Sequence, residues 1–182
     1  FILPFLLCSG YAGHLADVYS KRRVFVLAKI LEIVVMGLSI PAFFSDSLPL
    51  MLGVLLLLAA QATMLSPSKY GLLPEIVPAA RLSQANGWLE MTTFLAIILG
   101  TVFGSVLFTW WPTQLAKIGV VLTAFAVLGP LASLHIPAVP ASGAQRRLRG
   151  NPWGEIIVGL RRLYSDRSLW LTAVGIGYFW FL

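Results

Sequence analysis

Residues 13–23 read Gly-His-Leu-Ala-Asp-Val-Tyr-Ser-Lys-Arg-Arg, and this charged run separates two long apolar stretches. Apolar residues dominate positions 1–12 before the run and positions 24–44 after it. Such a pattern is typical of a loop that joins two membrane helices. We therefore predict a loop at 13–23, with its basic residues at the membrane surface, and a helix at 24–44.

The composition supports a membrane protein. Hydrophobic residues make up 58% of the 182-residue chain, charged residues make up 11%, and the mean hydropathy is +0.87. Soluble domains are about half apolar and a quarter charged, so the composition excludes an ordinary soluble protein. A bilayer-crossing helix needs roughly 20 apolar residues. Four stretches approach or exceed that length: 24–44, 48–65, 88–111 and 115–136.

The apolar stretches at the two ends, 1–12 and 169–182, are shorter than a complete span. We therefore expect a fragment of an all-α membrane protein, with the end of one helix, four whole helices and the start of another. Three regions are predicted. They are a transmembrane bundle at 1–136, a cytoplasmic linker with an amphipathic helix at 137–168, and the start of a second transmembrane half at 169–182.

The net charge of +6 is distributed unevenly. Eleven of the 13 Lys and Arg residues fall within 13–23, 66–87 and 137–168, whereas 45–47 and 112–114 contain none. The positive-inside rule places the basic segments in the cytoplasm. Because the charges alternate with the predicted helices, a nucleic-acid-binding surface is not expected.

The segment that follows the linker predicts a helix on the inner membrane surface. Asn151 and Pro152 suit an N-cap and a first turn. Apolar residues then recur every three or four positions, opposite part of a face that carries Arg161 and Arg162. A basic amphipathic helix of this kind lies in the membrane interface.

Prolines and glycines suggest where the central helices end and approach one another. Prolines at 67, 74 and 78 predict that 66–81 does not form one continuous helix, because each proline removes a backbone hydrogen bond. Gly100 and Gly104 give helix 88–111 a small-residue face that allows close packing.

Two charged residues lie within an apolar helix. Lys29 and Glu32 are one turn apart and can pair on one face. Ionisable side chains at depth normally face a cavity or a partner, so we predict a gating network here. Gln61 and Thr63 are expected to form hydrogen bonds between helices.

No residue pattern indicates catalysis or a cofactor. His14 and His135 lack further ligands at metal-binding spacing, and the single Cys8 excludes a disulfide framework. A nucleophile motif, a phosphate loop and a catalytic carboxylate pair are all absent from the sequence. We therefore expect a transporter without a cofactor, not an enzyme.

The loop at 13–23 resembles the loop between the second and third helices of major facilitator transporters. Gly13, Leu15, Asp17, Lys21 and Arg22 fit that pattern, while Val18 and Ser20 replace its usual Arg and Gly. The resemblance implies the N-terminal half of that fold, from the end of helix 2 to the start of helix 7. It also implies a cytoplasmic gate, for which the expected residues are Gly13, Asp17, Lys21, Arg22, Lys29 and Glu32. The alternative is a loop that only fixes topology.

Two further segments are more specific. Residues 66–75, Ser-Pro-Ser-Lys-Tyr-Gly-Leu-Leu-Pro-Glu, and 82–87 with Glu90 resemble bacterial lysophospholipid transporters, which occur alone or fused to acyltransferase and acyl-ligase domains. The resemblance implies a lysophosphatidylethanolamine-like substrate in the bacterial inner membrane. It implies substrate contacts at Lys69, Tyr70, Asn86 and Glu90. Lys69 would pair with a lipid phosphate, and Glu90 with an ethanolamine ammonium or with Lys69. Otherwise Lys69 only anchors the helix, and Glu90 only belongs to a salt-bridge gate.

Three alternatives remain at this point. The first is a major facilitator exporter of drugs or other small molecules, which would have a polar, closed midplane pocket. The second is the membrane part of a fused lysophospholipid acyltransferase, whose catalytic residues would lie outside these positions. The third is a truncated chain without activity of its own.

Overall fold

The structure is a computed structural model that describes residues 2–137 and 152–181. These residues form seven α-helices and a short 3-10 turn at Ala79–Arg81. The helices are α1 (Ile2–Val18), α2 (Lys21–Phe44), α3 (Leu48–Ile76), α4 (Leu82–Trp110), α5 (Leu115–Ser133), α6 (Pro152–Ser165) and α7 (Arg167–Phe181). The predicted all-α class is confirmed.

Within the described ranges, four helical segments are long and apolar enough to cross a bilayer: Lys21–Phe44, Leu48–Ile76, Ala79–Trp110 and Leu115–Ser133. They correspond to the four predicted spans, with different ends. Pro49 lies in the first turn of α3, where its missing N–H is not needed. The turn before α3 contains Asp46, which has a positive φ of 48°.

The predicted loop at 13–23 was wrong in extent. Helix α1 continues to Val18 and helix α2 begins at Lys21, so that only Tyr19 and Ser20 separate them. Charged residues marked where the chain leaves the bilayer, but a helix does not have to end at that boundary. Ala12 and Ala16 are buried, which shows that the last turns of α1 pack against other helices.

The prediction that 66–81 does not form one continuous helix is confirmed, but the break lies further along the chain than Pro67 suggested. Helix α3 runs through Pro67 and Pro74 to Ile76, and the chain leaves it only at Val77 and Pro78. Pro74 lies about 39 Å from the start of α3, beyond a bilayer core of about 30 Å, so the helix continues past the membrane span itself. Residues 66–76 are therefore helical, and the following helix starts at Leu82 instead of 88.

Helix α2 is the centre of the packed bundle. Its largest interfaces are with α5 and α3, and α1 packs mainly against α3. Small residues permit these contacts: a Cβ added at Gly119 of α5 would lie 3.0 Å from the Ser39 hydroxyl of α2. Helix α4 makes few contacts with α3 and α5 among the described residues. Among the described residues, no atom of another helix lies within 4 Å of a Cβ added at Gly100 or Gly104. The close packing predicted for these two glycines is therefore not observed.

Helices α6 and α7 form a separate compact unit. Asp166 caps α7, because its carboxylate accepts hydrogen bonds from the backbone N–H groups of Ser168 (2.9 Å) and Leu169 (3.3 Å). The rings of Tyr164 and Trp170 stack with centroids 4.6 Å apart. The predicted helix after Pro152 is present; the predicted linker at 137–150 and the N-cap Asn151 lie outside the described residues, apart from Pro137. The three-region division remains a prediction.

Candidate functional site

The ends of α1, α3 and α5 and the starts of α2 and α4 lie at the same end of the bundle, which we call the basic end. Antiparallel connections through short turns produce this arrangement. From Leu48 to Lys69 is about 31 Å at 1.5 Å per residue, and from Trp110 back to Glu90 is about 30 Å. The two side chains therefore lie at similar depth on neighbouring helices.

Four polar residues connect α3 and α4 near the basic end, and we call them the α3–α4 cluster: Lys69, Tyr70, Glu90 and Thr93. The Lys69 ammonium donates a hydrogen bond to the Thr93 hydroxyl (2.7 Å). The Tyr70 hydroxyl donates to Glu90 Oε1 (2.9 Å). Lys69 Nζ also lies 5.4 Å from the centroid of the Tyr70 ring, within cation–π range.

The suggested ion pair between Lys69 and Glu90 is not formed. Each charge is held by a neutral hydroxyl group, and neither belongs to an ion pair among the described residues. Both side chains are partly exposed. The cluster therefore holds a cation on α3 and an anion on α4, each with a hydroxyl partner, and a ligand of opposite charges could bind both.

The other predicted contact, Asn86, lies one turn before Glu90 on the same face of α4 and is exposed. Glu90 itself lies about two turns into α4, because α4 begins at Leu82 and not at 88 as predicted. The structure thus brings together Lys69, Tyr70 and Glu90 through a hydrogen bond and a cation–π contact, and adds Thr93. Sequence reasoning missed Thr93, which is a turn beyond Glu90 in an apolar helix.

A second group, the junction clamp, joins the start of α2 to the ends of α3 and α5. Lys21 forms a salt bridge with Glu75, and these side chains are 11% and 19% exposed. Arg22 Nη2 donates to the carbonyl oxygen of Leu134, which caps the end of α5 (2.9 Å). Gly71 lets the lysine stem cross α3, since an added Cβ would lie 2.8 Å from Lys21 Cε.

Glu75 was not predicted as a gating residue. Its partner lies 54 positions away, and the contact depends on α3 remaining helical through two prolines. Of the other predicted gating residues, Gly13 lies within α1, where nothing described comes within 4 Å of an added Cβ. Asp17 also lies within α1, but its side chain is outside the described set.

The predicted Lys29–Glu32 pair is present, with a distance of 2.7 Å between Nζ and Oε2. Gln61 on α3 donates to the Ala28 carbonyl oxygen (2.9 Å) and approaches Glu32 Oε2 (3.4 Å). The predicted interhelical hydrogen bond of Gln61 is confirmed. That of Thr63 is not observed, because its hydroxyl donates to Ala59 of its own helix (2.8 Å).

Replacing Glu32 by glutamine is expected to lower the free energy of unfolding by about 1–3 kcal/mol, because Lys29 would lose its carboxylate inside the bundle. The effect is smaller than for a fully buried pair, since 22% and 23% of the two side chains are exposed. Chemical denaturation in detergent micelles measures the change. The double variant Lys29→Met/Glu32→Leu removes both charges and should stay within about 1 kcal/mol of wild type. If the single and double variants were equally destabilised, the pair would not be the cause.

The described residues contain no group of three or more His, Cys, Asp or Glu side chains that could hold a metal ion. Cys8 is a free, partly buried thiol in α1. The polar groups at the basic end are therefore organised as charge pairs and hydrogen bonds between helices. Such groups can bind the charged parts of a ligand. They can also hold two helices together, and the helices can separate when the pairs break.

Comparison with known proteins agrees with this architecture. The sequence matches the Major Facilitator Superfamily over residues 1–182. It is 32% identical over 185 aligned positions to the lysophospholipid transporter LplT of Yersinia pestis (strain Pestoides F) and to that of Yersinia pseudotuberculosis serotype O:3 (strain YPIII). These alignments cover 99% of this chain and 42% of each relative, so the chain spans less than half of their length. No solved structure matches the chain.

Proposed function

The chain belongs to the major facilitator superfamily of membrane transporters, and we propose that the substrate is a lysophospholipid that the whole protein flips across the bacterial inner membrane. Helices would rock between outward-open and inward-open states around a central path. The relatives of similar sequence are lysophospholipid transporters by name, which supports the substrate class. Membership of a transporter family indicates a transported substrate, not catalysis by these helices.

The proposal rests on the observation that Lys69 and Glu90 have separate hydrogen-bond partners. A lysophosphatidylethanolamine headgroup has a phosphate and an ammonium joined by a short linker. Lys69 supplies a charge-assisted donor for the phosphate, and Glu90 an acceptor for the ammonium. Because the two side chains hold hydroxyl groups and not each other, a headgroup can bind both without first breaking an ion pair.

Tyr70 and Thr93 are positioning residues in this proposal. Their hydroxyl groups keep the two charges oriented before the substrate arrives, and Asn86 adds an amide on the face of α4 that carries Glu90. The remaining polar groups at the basic end form the gate. The junction clamp closes the cytoplasmic side, and the Lys29–Glu32 pair with Gln61 connects α2 to α3 beneath it.

The proposal is tested by uptake of labelled lysophosphatidylethanolamine into cells that lack their own lysophospholipid transporter and acyltransferase and express the full-length protein. We expect uptake that excess unlabelled lysophosphatidylethanolamine inhibits and that uncharged monoacylglycerol does not. Absence of uptake by the wild-type protein would contradict the proposal. Export of a cationic dye in its place would indicate a drug exporter. Conversion of the label to a two-chain lipid in these cells would indicate a fused acyltransferase.

A further inference from the structure

A cavity of about 350 Å³ lies between α1, α2 and α3 near the basic end. Its walls are formed largely by apolar side chains, among them Leu15, Leu27, Leu31 and Met64. Ligand-binding clefts begin at about this volume. None of the residues that surround it belongs to the α3–α4 cluster, so the cavity is distinct from the proposed headgroup site.

The cavity opens at the outer surface of the described bundle. Leu27 is 65% exposed and Leu31 is 40% exposed, and the two residues are one helical turn apart on α2. The same ridge continues with exposed Val34 and Leu38, following the three- and four-residue spacing of one helix face. An apolar chain that entered the cavity would therefore continue along an apolar surface toward the bilayer interior.

Two polar side chains lie at the end of the cavity nearest the basic end: Tyr19, between α1 and α2, and Arg23, in the first turn of α2. Three basic residues follow one another here, and the first two have partners in the junction clamp. By contrast, the side chains of Arg23 and Tyr19 form no hydrogen bond or ion pair with the described parts of the chain. Two exposed residues with polar side-chain ends, Tyr19 and Arg23, thus line an otherwise apolar cavity.

From this arrangement we propose that the cavity binds a two-chain anionic phospholipid of the surrounding leaflet. One acyl chain fills the cavity, and the phosphate accepts hydrogen bonds from the Arg23 guanidinium and the Tyr19 hydroxyl. Arginine suits this role because its planar donors match phosphate oxygens and its charge persists at any physiological pH. The bound lipid bridges α1, α2 and α3 beside the junction clamp. It is a resident ligand, not the transported substrate, and the proposal does not depend on lysophospholipid transport.

The site is tested with the purified full-length protein in phosphatidylcholine nanodiscs that contain a trace of phosphatidylglycerol with a photoreactive acyl chain. After irradiation, peptide mapping should place the label on the segments that line the cavity, within 15–31 and around Met64. Excess unlabelled phosphatidylglycerol should reduce labelling. Excess lysophosphatidylethanolamine should not, which separates a resident lipid from a transported one.

Two variants probe the two halves of the site, each with a matched control. Leu27→Trp fills the cavity and should reduce labelling about tenfold, whereas Val34→Trp, on the same ridge outside the cavity, should not. Arg23→Gln should reduce labelling by phosphatidylglycerol about fivefold, since a charge-assisted hydrogen bond is lost. Arg81→Gln removes another exposed arginine at the basic end and should have no effect. Thermal unfolding confirms that each variant is folded.

Labelling that is unchanged in both Leu27→Trp and Arg23→Gln would overturn the proposal, as would a label that maps to other helices. Equal competition by phosphatidylcholine and phosphatidylglycerol would overturn the assignment of an anionic headgroup. Because the assay measures binding without transport, these outcomes do not depend on whether the protein carries lysophospholipids.

Discussion

Replacing Lys69 by alanine is expected to lower the uptake of lysophosphatidylethanolamine between about tenfold and a hundredfold. A hydrogen bond to a charged group contributes about 1.5–3 kcal/mol, and each 1.4 kcal/mol corresponds to a tenfold change in affinity. Thr93 cannot replace the lost ammonium, because a hydroxyl group has no charge with which to bind a phosphate. The measurement is the initial rate of uptake of the labelled lipid by cells expressing equal amounts of each variant.

Lys117→Ala is the matched control. This lysine lies near the opposite end of the bundle, 6.0 Å from the centroid of the Trp111 ring, and its loss should leave uptake within about twofold of wild type. Lys69→Arg keeps the charge and should retain part of the activity. Uptake by Lys69→Ala equal to that of wild type would remove the lysine from the substrate site without affecting the assignment of the family.

Variants of Lys69 and Glu90 distinguish contacts to the phosphate from contacts to the ammonium of the headgroup. If Lys69 binds the phosphate, its loss should reduce the uptake of lysophosphatidylethanolamine and lysophosphatidylglycerol alike. Glu90→Gln should reduce the first by a larger factor than the second, because only the first carries an ammonium. Tyr70→Phe removes the hydroxyl group that orients Glu90 and should have a smaller effect in the same direction. Equal effects of Glu90→Gln on both lipids would indicate a structural role.

Reversing one charge of the junction clamp is expected to lower uptake about tenfold, and reversing both should restore most of it. Lys21→Glu places a carboxylate against Glu75, and both positions are mostly buried. The double variant Lys21→Glu/Glu75→Lys rebuilds the pair with opposite polarity and should come within about threefold of wild type. Arg81→Glu controls for the loss of positive charge at the same end of the bundle.

The accessibility of a buried position to a thiol reagent distinguishes a gate from a contact that only stabilises the fold. Ser68 is completely buried on α3, so a cysteine placed there should react slowly with a polar thiol reagent added from the basic end. For this measurement Cys8, the free cysteine of α1, is first replaced by alanine. Lys21→Glu should increase the reaction rate of Cys at position 68, and the double reversal should lower it again. Unchanged rates together with lower thermal stability would mean that the clamp only stabilises the fold.

The membrane spans could be predicted from the sequence because their signal is local. Each span is a long apolar run, and the Lys29–Glu32 pair follows from spacing within one helix. The junction clamp could not be predicted in the same way. It joins Lys21 to Glu75 across 54 positions, and that contact requires α3 to continue past Pro67 and Pro74.

The position of the break after α3 could not be predicted from the prolines alone. Each of Pro67, Pro74 and Pro78 removes a backbone hydrogen bond, and the sequence does not show which of them ends the helix. The chain leaves the helix at Val77 and Pro78, so Lys69 lies within α3. In the structure the helical register of α3 directs it to Thr93.

The sparse packing of α4 has a mechanical consequence. Helices α1, α2, α3 and α5 are joined through broad interfaces and the junction clamp, so they are expected to move together. Among the described residues, α4 touches them lightly, and the polar bonds that fasten it to α3 are those of Lys69 with Thr93 and Tyr70 with Glu90. In the proposed function, a headgroup that bound both charges would break the two polar bonds that join α4 to α3 among the described residues.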